Sequence, residues 1–271
     1  MGQKRRFIKD FRRILKRYDD VSTIVDLFGG SGILSHVAKH ERPDARVIFN
    51  DYDFYCDRLS HLGTTNEMLS IIRPLLVDVP KDKKIPDGLR RQILSIVKRY
   101  DDAGYVDYIT LSSSILFSGK YVTSYEGLTK QTMYNTMKQS GYSADGYLDG
   151  LEVEHCDYRE LFARFLDKDK TLFLIDPPYL STEVGAYKCY WKLTDYLDVL
   201  KLLNGTRFIY FTSSKSHIIE LCKWIDENAQ LGGGIKWSRD TYPNKQYKLQ
   251  FRFHGYYACK SIDIQKAFNL Y

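Results

Sequence analysis

The feature that most constrains the fold is a strand–turn–helix–strand pattern near the start of the chain. The apolar run 23–28 predicts a short buried strand, the glycines of "FGGSG" predict a tight turn, and residues 33–40 have the spacing of a helix. A second predicted strand, "ARVIFN", ends near Asn50 and Asp51. This order of elements is half of a doubly wound, parallel α/β sheet.

The same rhythm returns at about residue 151. There "LEVEHCDY" predicts a strand that ends at Asp157, residues 158–167 predict a helix, and "TLFLI" predicts a buried strand. Beyond it we expect a helix over "TDYLDVLKLLNG" closed by Gly205, a strand over "TRFIYFTSS", a helix over 215–229 and an antiparallel strand over "QFRFHGYYACK". The predicted fold is therefore an α/β sheet with helices on both faces.

Residues 60–150 interrupt this rhythm. Pro74, Pro80 and Pro86 break the segment, "VPKDKKIPDG" is typical of an exposed loop, and a helix is predicted over roughly 87–101. We interpret 60–150 as a smaller, mostly helical domain inserted into a larger one, which is formed by 1–59 and 151–271.

Composition excludes several classes of protein. The net charge of +6 and the pI near 8.8 fit a nucleic-acid partner without proving one. The five cysteines are widely spaced without CxxC, and the six histidines lack ligand spacing, so we expect no disulfide framework and no metal. No apolar run is long enough for a membrane span, and the charged start carries no secretory signal, which predicts a cytoplasmic, reducing location.

The glycine turn "DLFGGSG" is a candidate ligand site. Glycine lets a backbone approach a ligand closely, and ligands of doubly wound sheets bind beyond the carboxyl ends of strands. The turn is not a full GxGxxG, because Ser35 stands where the third glycine would fall, and it lacks the GK[ST] of a P-loop. A plain tight turn is the alternative.

A second acid adds information to this turn. Asp51 lies 19 residues after Gly32 and ends the next predicted strand. An acid at about this distance commonly binds ribose hydroxyls, which suggests a cofactor that contains adenosine. The alternative is that Asp51 caps a helix.

The stretch "TLFLIDPPYL" ends a buried strand in an unusual way. Two prolines stiffen the chain and remove two N–H donors, so that carbonyl acceptors and the Asp176 carboxylate remain. Tyr179 offers a flat face for stacking a ring. Acceptors beside a stacking ring form a pocket for an aminated base, whose amine could then attack a methyl sulfonium. A rigid turn at the strand end is the alternative.

Two basic helices are candidates for phosphate contact. Residues 3–18 predict an amphipathic helix rich in lysine and arginine, and the helix at 87–101 is basic as well. The alternatives for the first helix are packing on the core by its apolar face and contact with a membrane surface.

Together these motifs resemble the Dam-like, alpha-group DNA adenine-N6 methyltransferases. The matching segments are, in order, "DLFGGSG", "FNDYD", "HCDYREL" and "DPPYLSTEVGAYKCYW", and they cover most of the chain outside about 60–150. The segment "LFSGKY" is loosely similar to a family segment in the insertion. The resemblance implies a Rossmann-like class I methyltransferase sheet, with 60–150 as the target-recognition domain.

The resemblance also implies a cofactor, S-adenosyl-L-methionine. It would lie over the turn from Phe28 to Gly32, with Asp51 on its ribose and Asp157 near its adenine. The family opens with an aromatic residue, a glycine-containing step and a lysine, of which "MGQKRRF" offers the glycine and Lys4. The full set of expected cofactor contacts is Lys4, Asp26, Phe28, Gly30, Gly32, Asp51, Asp157 and Tyr158.

The implied reaction is methylation of a flipped adenine in double-stranded DNA. The catalytic residues would be Asp176, Pro177, Pro178 and Tyr179, and the expected nucleic-acid contacts are Arg90, Arg91, Lys98, Lys120, Tyr187 and Tyr190. We expect a monomeric, bacterial or phage-encoded enzyme of the kind found in restriction-modification. Cytosine-N4 or RNA amino-methylation, or a non-catalytic nucleic-acid-binding module, are the alternatives. Trp191 could order over the flipped base or pack in the core.

Overall fold

The computed structural model describes residues 8–117, 119–178, 191–202 and 206–211, together with the backbone of three later strands. The elements of the first part are α1 (Ile8–Leu15), β1 (Thr23–Asp26), α2 (Ile33–Glu41), β2 (Arg46–Asn50), α3 (Tyr55–Ser60), α4 (Leu62–Ile72), a 3₁₀ helix (Arg73–Leu76), α5 (Asp87–Asp102), α6 (Tyr108–Ile115) and α7 (Tyr125–Thr129). They are followed by β3 (Glu152–Glu154), α8 (Tyr158–Phe165), β4 (Thr171–Ile175), α9 (Leu193–Leu202), β5 (Phe208–Tyr210), β6 (Lys236–Thr241), β7 (Tyr247–Phe253) and β8 (Tyr256–Cys259). The predicted helix at 215–229 lies outside the described residues.

A five-stranded parallel sheet organises the larger part of the chain. Its strand order is β3-β2-β1-β4-β5, and every pair of neighbours is parallel. The chain builds outward from β1 to β3 and then returns to the other side of β1 with β4. The order therefore reverses between β1 and β4, which is where sheets of this kind bind ligands, beyond the carboxyl ends of the strands.

Apolar side chains cover both faces of this sheet. Successive residues of a strand point to opposite faces, so Leu172 and Leu174 join one core cluster while Phe173 and Ile175 join another. The first cluster includes side chains of α1 and α2, and the second includes side chains of α8 and α9. Burial on both faces explains the unbroken apolar run of β4, and the predicted α/β sheet with helices on both faces is confirmed.

The last three strands form a separate antiparallel sheet of order β6-β7-β8. The segment predicted as an antiparallel strand, "QFRFHGYYACK", contains the end of β7 and all of β8. That prediction was correct in type, but a short connection divides the segment into two strands.

The chain is divided into two compact units. The sheet unit comprises Met1–Tyr55 and Gly146–Tyr271, and the insertion comprises Cys56–Asp145. The sequence placed the corresponding boundaries at 59/60 and 150/151. The described elements of the insertion are helical, and a core of its own packs residues of α4, α5, α6 and α7, among them Met68, Ile93, Leu111 and Leu128.

The basic first helix packs on the sheet unit. Phe11, Ile14 and Leu15 of α1 are buried in the core cluster of α2, while Arg12 pairs with Glu41 and Arg13 with Asp10. The apolar face of α1 therefore has the structural role that the sequence left open as an alternative to phosphate contact.

Candidate active site

The glycine turn leaves the carboxyl end of β1 and starts α2. A Cβ atom on Gly29 would lie 2.2 Å from Cε2 of Phe49 and 2.7 Å from the carbonyl oxygen of Asn50, so only glycine fits against β2. Gly32, at a φ of 76°, adopts the left-handed conformation that glycine favours, and its N–H donates to the Gly29 carbonyl over 2.8 Å. The sequence predicted Gly30 and Gly32 as contacts but missed the tight approach at Gly29.

Gly30 is exposed on the outer side of the turn and has a φ of 55°. Among the described residues, the nearest atom that a Cβ on Gly30 would meet is the Phe28 carbonyl oxygen at 3.9 Å. This exposure fits close approach of a ligand to the backbone of Gly30, in the turn that leads into α2. An open glycine backbone at a helix start is the kind of surface that accommodates a nucleoside cofactor.

Ser35 supports the strand that leads into this turn. Its hydroxyl donates to Oδ2 of Asp26 over 2.7 Å, and both side chains are fully buried. The residue that breaks the GxGxxG pattern thus has a partner of its own. Contact of Asp26 with a cofactor stays a prediction.

Asp51 follows β2 at the same edge of the sheet. Its buried carboxylate accepts from the N–H of Tyr55, the first residue of α3, over 2.5 Å, so one oxygen performs the helix-capping role that the sequence left open. Its carbonyl oxygen lies 2.9 Å from Nδ1 of His155, and the His155 ring stacks on Phe54 at 5.2 Å between ring centroids. The ends of β2 and β3 are therefore joined beside the predicted ribose contact.

The Phe28 ring belongs to an aromatic cluster behind the turn. The ring centroid of Tyr158 lies 4.9 Å from that of Phe28 and 5.7 Å from that of Trp191. Trp191 also contacts Phe28 and Tyr196. Burial raises the pKa of Tyr158 to about 12, so its phenol is neutral at physiological pH. In this arrangement Trp191 has the core-packing role that was the alternative to covering a base.

The neighbouring Asp157 has a capping role. Its exposed carboxylate accepts from the N–H of Arg159 over 2.8 Å at the start of α8. The predicted contact of Asp157 with an adenine ring stays a prediction, and the capping bond fixes the carboxylate at the carboxyl end of β3.

The Asp176–Pro177–Pro178 segment follows β4 directly. Asp176 is 8% exposed and Pro177 is buried. In the parallel register Asp26 pairs with Leu174, and the N–H of Leu27 donates to the Leu174 carbonyl over 3.1 Å. Asp176 therefore leaves β4 at the level where Phe28 leaves β1, and the structure brings the acid and the glycine turn to one edge of the sheet.

Four of the predicted site residues lie outside the described part of the chain: Lys4, Tyr179, Tyr187 and Tyr190.

The predicted nucleic-acid contacts of the insertion differ in their surroundings. The Arg90 guanidinium donates to the backbone carbonyls of Thr129 and Gln131, and Lys98 pairs with Asp102 over 2.5 Å. Arg91 and Lys120 are exposed. All four stay predictions, but Arg90 and Lys98 also bind groups of the insertion itself.

The sequence did not predict that residues 147–148 pack against the glycine turn. The hydroxyl of Tyr147 donates to the Ser31 carbonyl over 3.0 Å, and a Cβ on Gly32 would lie 2.6 Å from Cδ2 of Leu148. The partners are more than a hundred residues apart in sequence, so no local signal could have revealed this contact.

Metal-binding clusters and membrane-spanning helices are both absent from the described ranges. In them no group of three or more metal-binding side chains comes together. No helix in this part of the chain has the length and apolar character needed to cross a membrane.

The parallel sheet, with polar residues at the carboxyl ends of its strands, is that of a Rossmann-like methyltransferase fold. No family model matches the chain. A protein of Haemophilus influenzae, which carries the name "Putative methyltransferase", is 40% identical over 238 residues, covering 84% of this chain and 79% of the relative. The chain belongs to the same methyltransferase family as this relative.

Proposed function

We propose that this protein is a site-specific DNA adenine-N6 methyltransferase that uses S-adenosyl-L-methionine. The supporting observation is the position of Asp176, a buried acid at the carboxyl end of β4, in register with the glycine turn that follows β1. Methyltransferase family membership supports methyl transfer in general, and the Asp-Pro-Pro-Tyr segment supports an exocyclic amine as the acceptor.

The residues present fit the proposed cofactor. The open backbone at Gly30 admits a nucleoside, and Asp51 ends the neighbouring strand, where a ribose would lie. When bound, S-adenosyl-L-methionine supplies an electrophilic methyl group on a sulfonium sulfur. Phe28, Gly30, Gly32 and Asp51 would hold it.

Asp176 has the chemical role of an acceptor for the substrate amine. The nitrogen lone pair of an aromatic amine is delocalised into the ring, which makes the amine a weak nucleophile. Hydrogen bonds from the NH₂ group to Asp176 and to a proline carbonyl favour a tetrahedral nitrogen, whose lone pair then points at the methyl carbon. A carboxylate that is largely shielded from water holds this geometry more strongly than an exposed one.

A base inside a duplex cannot reach this edge of the sheet, so the target adenine is flipped out of the helix. We propose that the insertion recognises the target sequence and that exposed Arg91 and Lys120 contact phosphates. Binding to double-stranded DNA would then weaken as the salt concentration rises. We expect the protein to act as a monomer.

The test is transfer of tritium from labelled S-adenosyl-L-methionine to double-stranded DNA. Asp176→Ala and Asp176→Asn are each expected to lower the rate about a hundredfold or more, because the amine loses its charged acceptor. Asp44→Asn changes an exposed acid in the loop before β2, at the opposite edge of the sheet, and should keep the wild-type rate. Full activity of the Asp176 variants would refute the proposed catalytic role.

Nucleoside analysis of the product distinguishes the alternatives. N6-methyladenine in DNA supports the proposal, whereas N4-methylcytosine or methylated RNA would show a different acceptor. DNA binding without any transfer would identify a non-catalytic module. Sequencing the methylated DNA then gives the target sequence.

A further inference from the structure

We propose that Asn50 is a positioning residue that holds together the three strand ends from which the cofactor contacts project. The identity of the ligand, S-adenosyl-L-methionine, rests on the proposed function. The positioning role itself rests on the hydrogen bonds of one buried amide.

The side chain of Asn50 is completely buried and binds the segments that follow two other strands, β1 and β3. Its Nδ2 donates to the carbonyl oxygen of Leu27 over 3.1 Å and to the carbonyl oxygen of Cys156 over 3.0 Å. Its Oδ1 accepts from the N–H of Cys156 over 3.2 Å. A single amide therefore connects the end of β2 with the segments that leave β1 and β3.

These bonds lie where the backbone pairing of the sheet stops. The register of β1 with β2 ends at Asp26 and Phe49, and that of β2 with β3 ends at Asn50 and Glu154. Leu27 and Cys156 lie beyond the last pairs. The Asn50 amide takes the place of backbone hydrogen bonds at the point where the strand ends separate to form the site.

Each anchored residue immediately precedes a predicted cofactor contact. Leu27 precedes Phe28 and the glycine turn, Asn50 precedes Asp51, and Cys156 precedes Asp157. Loss of the amide would weaken the backbone support of all three predicted contacts at once. It would also leave the buried carbonyl oxygen of Leu27 and the partly buried carbonyl oxygen of Cys156 without this donor, which is costly for a group shielded from water.

The insertion contains a matched control. Nδ2 of Asn135 donates to the carbonyl oxygens of Leu76 and Val79, and its Oδ1 accepts from the N–H of Met137. This side chain makes the same set of three bonds to the backbone, but far along the chain from the strand ends of the sheet unit. Asn135→Ala therefore reproduces the chemical loss without the proposed positioning effect.

The experiment compares Asn50→Ala, Asn50→Asp and Asn135→Ala in the full chain. Asn50→Asp keeps the shape and the acceptor but loses both donated bonds, so it carries the test if Asn50→Ala does not accumulate as folded protein. Amide hydrogen exchange is measured without ligand over 27–32 and 156–158. The dissociation constant for S-adenosyl-L-methionine is measured by calorimetry.

Both Asn50 variants should lose exchange protection in the two segments and bind S-adenosyl-L-methionine about tenfold more weakly, as expected for the loss of two or three hydrogen bonds. Asn135→Ala should lose protection only within the insertion and bind the cofactor like wild type. Unchanged protection over 27–32 and 156–158 in the Asn50 variants, or equal loss of affinity in Asn135→Ala, would overturn the inference. A wild-type protein without cofactor affinity refutes the proposed function, whereas the exchange measurement still decides the role of Asn50.

Discussion

The sheet unit and the insertion both bury polar side chains, but at different kinds of place. In the insertion Asp107 is buried, caps α6 through the N–H of Thr110 and accepts from the guanidinium of Arg58. In the sheet unit Asp26, Asn50 and Asp176 are buried at the carboxyl ends of parallel strands. Asp107 of the insertion stabilises a helix of that unit, whereas Asp26, Asn50 and Asp176 of the sheet unit all lie at the carboxyl ends of the strands.

This difference shows how burial relates to function. A buried acid that caps a helix is satisfied by local geometry, and its value is structural. Several buried acids and amides at one sheet edge are not required by the sheet itself, because the strands are covered by apolar side chains. Their location supports a binding and catalytic role at that edge.

The largest expected effect is a difference in unfolding free energy between two glycine substitutions, one in each unit. Gly29→Ala places a Cβ against the Phe49 ring and the Asn50 carbonyl, and the backbone has to move, which should cost about 3 kcal/mol or more of unfolding free energy. Gly63→Ala in α4 meets no atom of the described residues within 4 Å and should be neutral or stabilise the insertion by up to about 1 kcal/mol. Urea unfolding of both variants checks this. Equal destabilisation would contradict the close packing at Gly29.

A smaller effect is expected for the buried acid of the insertion. Asp107→Ala removes the cap of α6 and the ion pair in which the Asp107 carboxylate lies 3.2 Å from the Arg58 guanidinium. We expect a loss of about 2 kcal/mol in unfolding free energy and unchanged affinity for S-adenosyl-L-methionine. Urea unfolding and calorimetry measure the two quantities. A large loss of cofactor affinity would break the proposed division of roles between the units.

The smallest effect concerns an ion pair at the opposite edge of the sheet. The Arg46 guanidinium, which starts β2, holds the pKa of Glu152 below its ordinary value. Because the folded pKa is lowered, the pair stabilises the fold above the ordinary Glu pKa of about 4.3 and loses this contribution as the pH falls through the folded value. Both side chains are about half exposed, so Arg46→Gln should cost about 0.5 kcal/mol or less at neutral pH.

Urea unfolding at several pH values measures this last effect. The difference between wild type and Arg46→Gln should shrink as the pH falls below about 4. A difference that grows in acid would contradict the assigned direction of the Glu152 pKa. Activity at neutral pH should not change, because the pair lies away from the polar edge.

Much of the sheet was predictable, because each strand has a short local pattern. β4 is a buried strand of five residues in which four apolar residues follow Thr171, and α2 follows a glycine turn. Element type was therefore correct for these segments. Trp191 was less predictable, since an aromatic residue after the Asp-Pro-Pro segment fits either a base or a core, and only the structure shows its packing against Phe28 and Tyr158.

The sequence by itself predicted methyl transfer and the end of the sheet at which we propose that it takes place. Strand ends with acids, glycines and prolines are local features, and parallel strands bring their carboxyl ends together. Only the tertiary structure decided which side chains support that edge. The bonds of Asn50 to Leu27 and Cys156, of Ser35 to Asp26 and of Tyr147 to Ser31 join residues that are distant in sequence, so no local pattern specifies them. The local sequence after β1 predicted the glycine turn, and long-range contacts determined which residues support it.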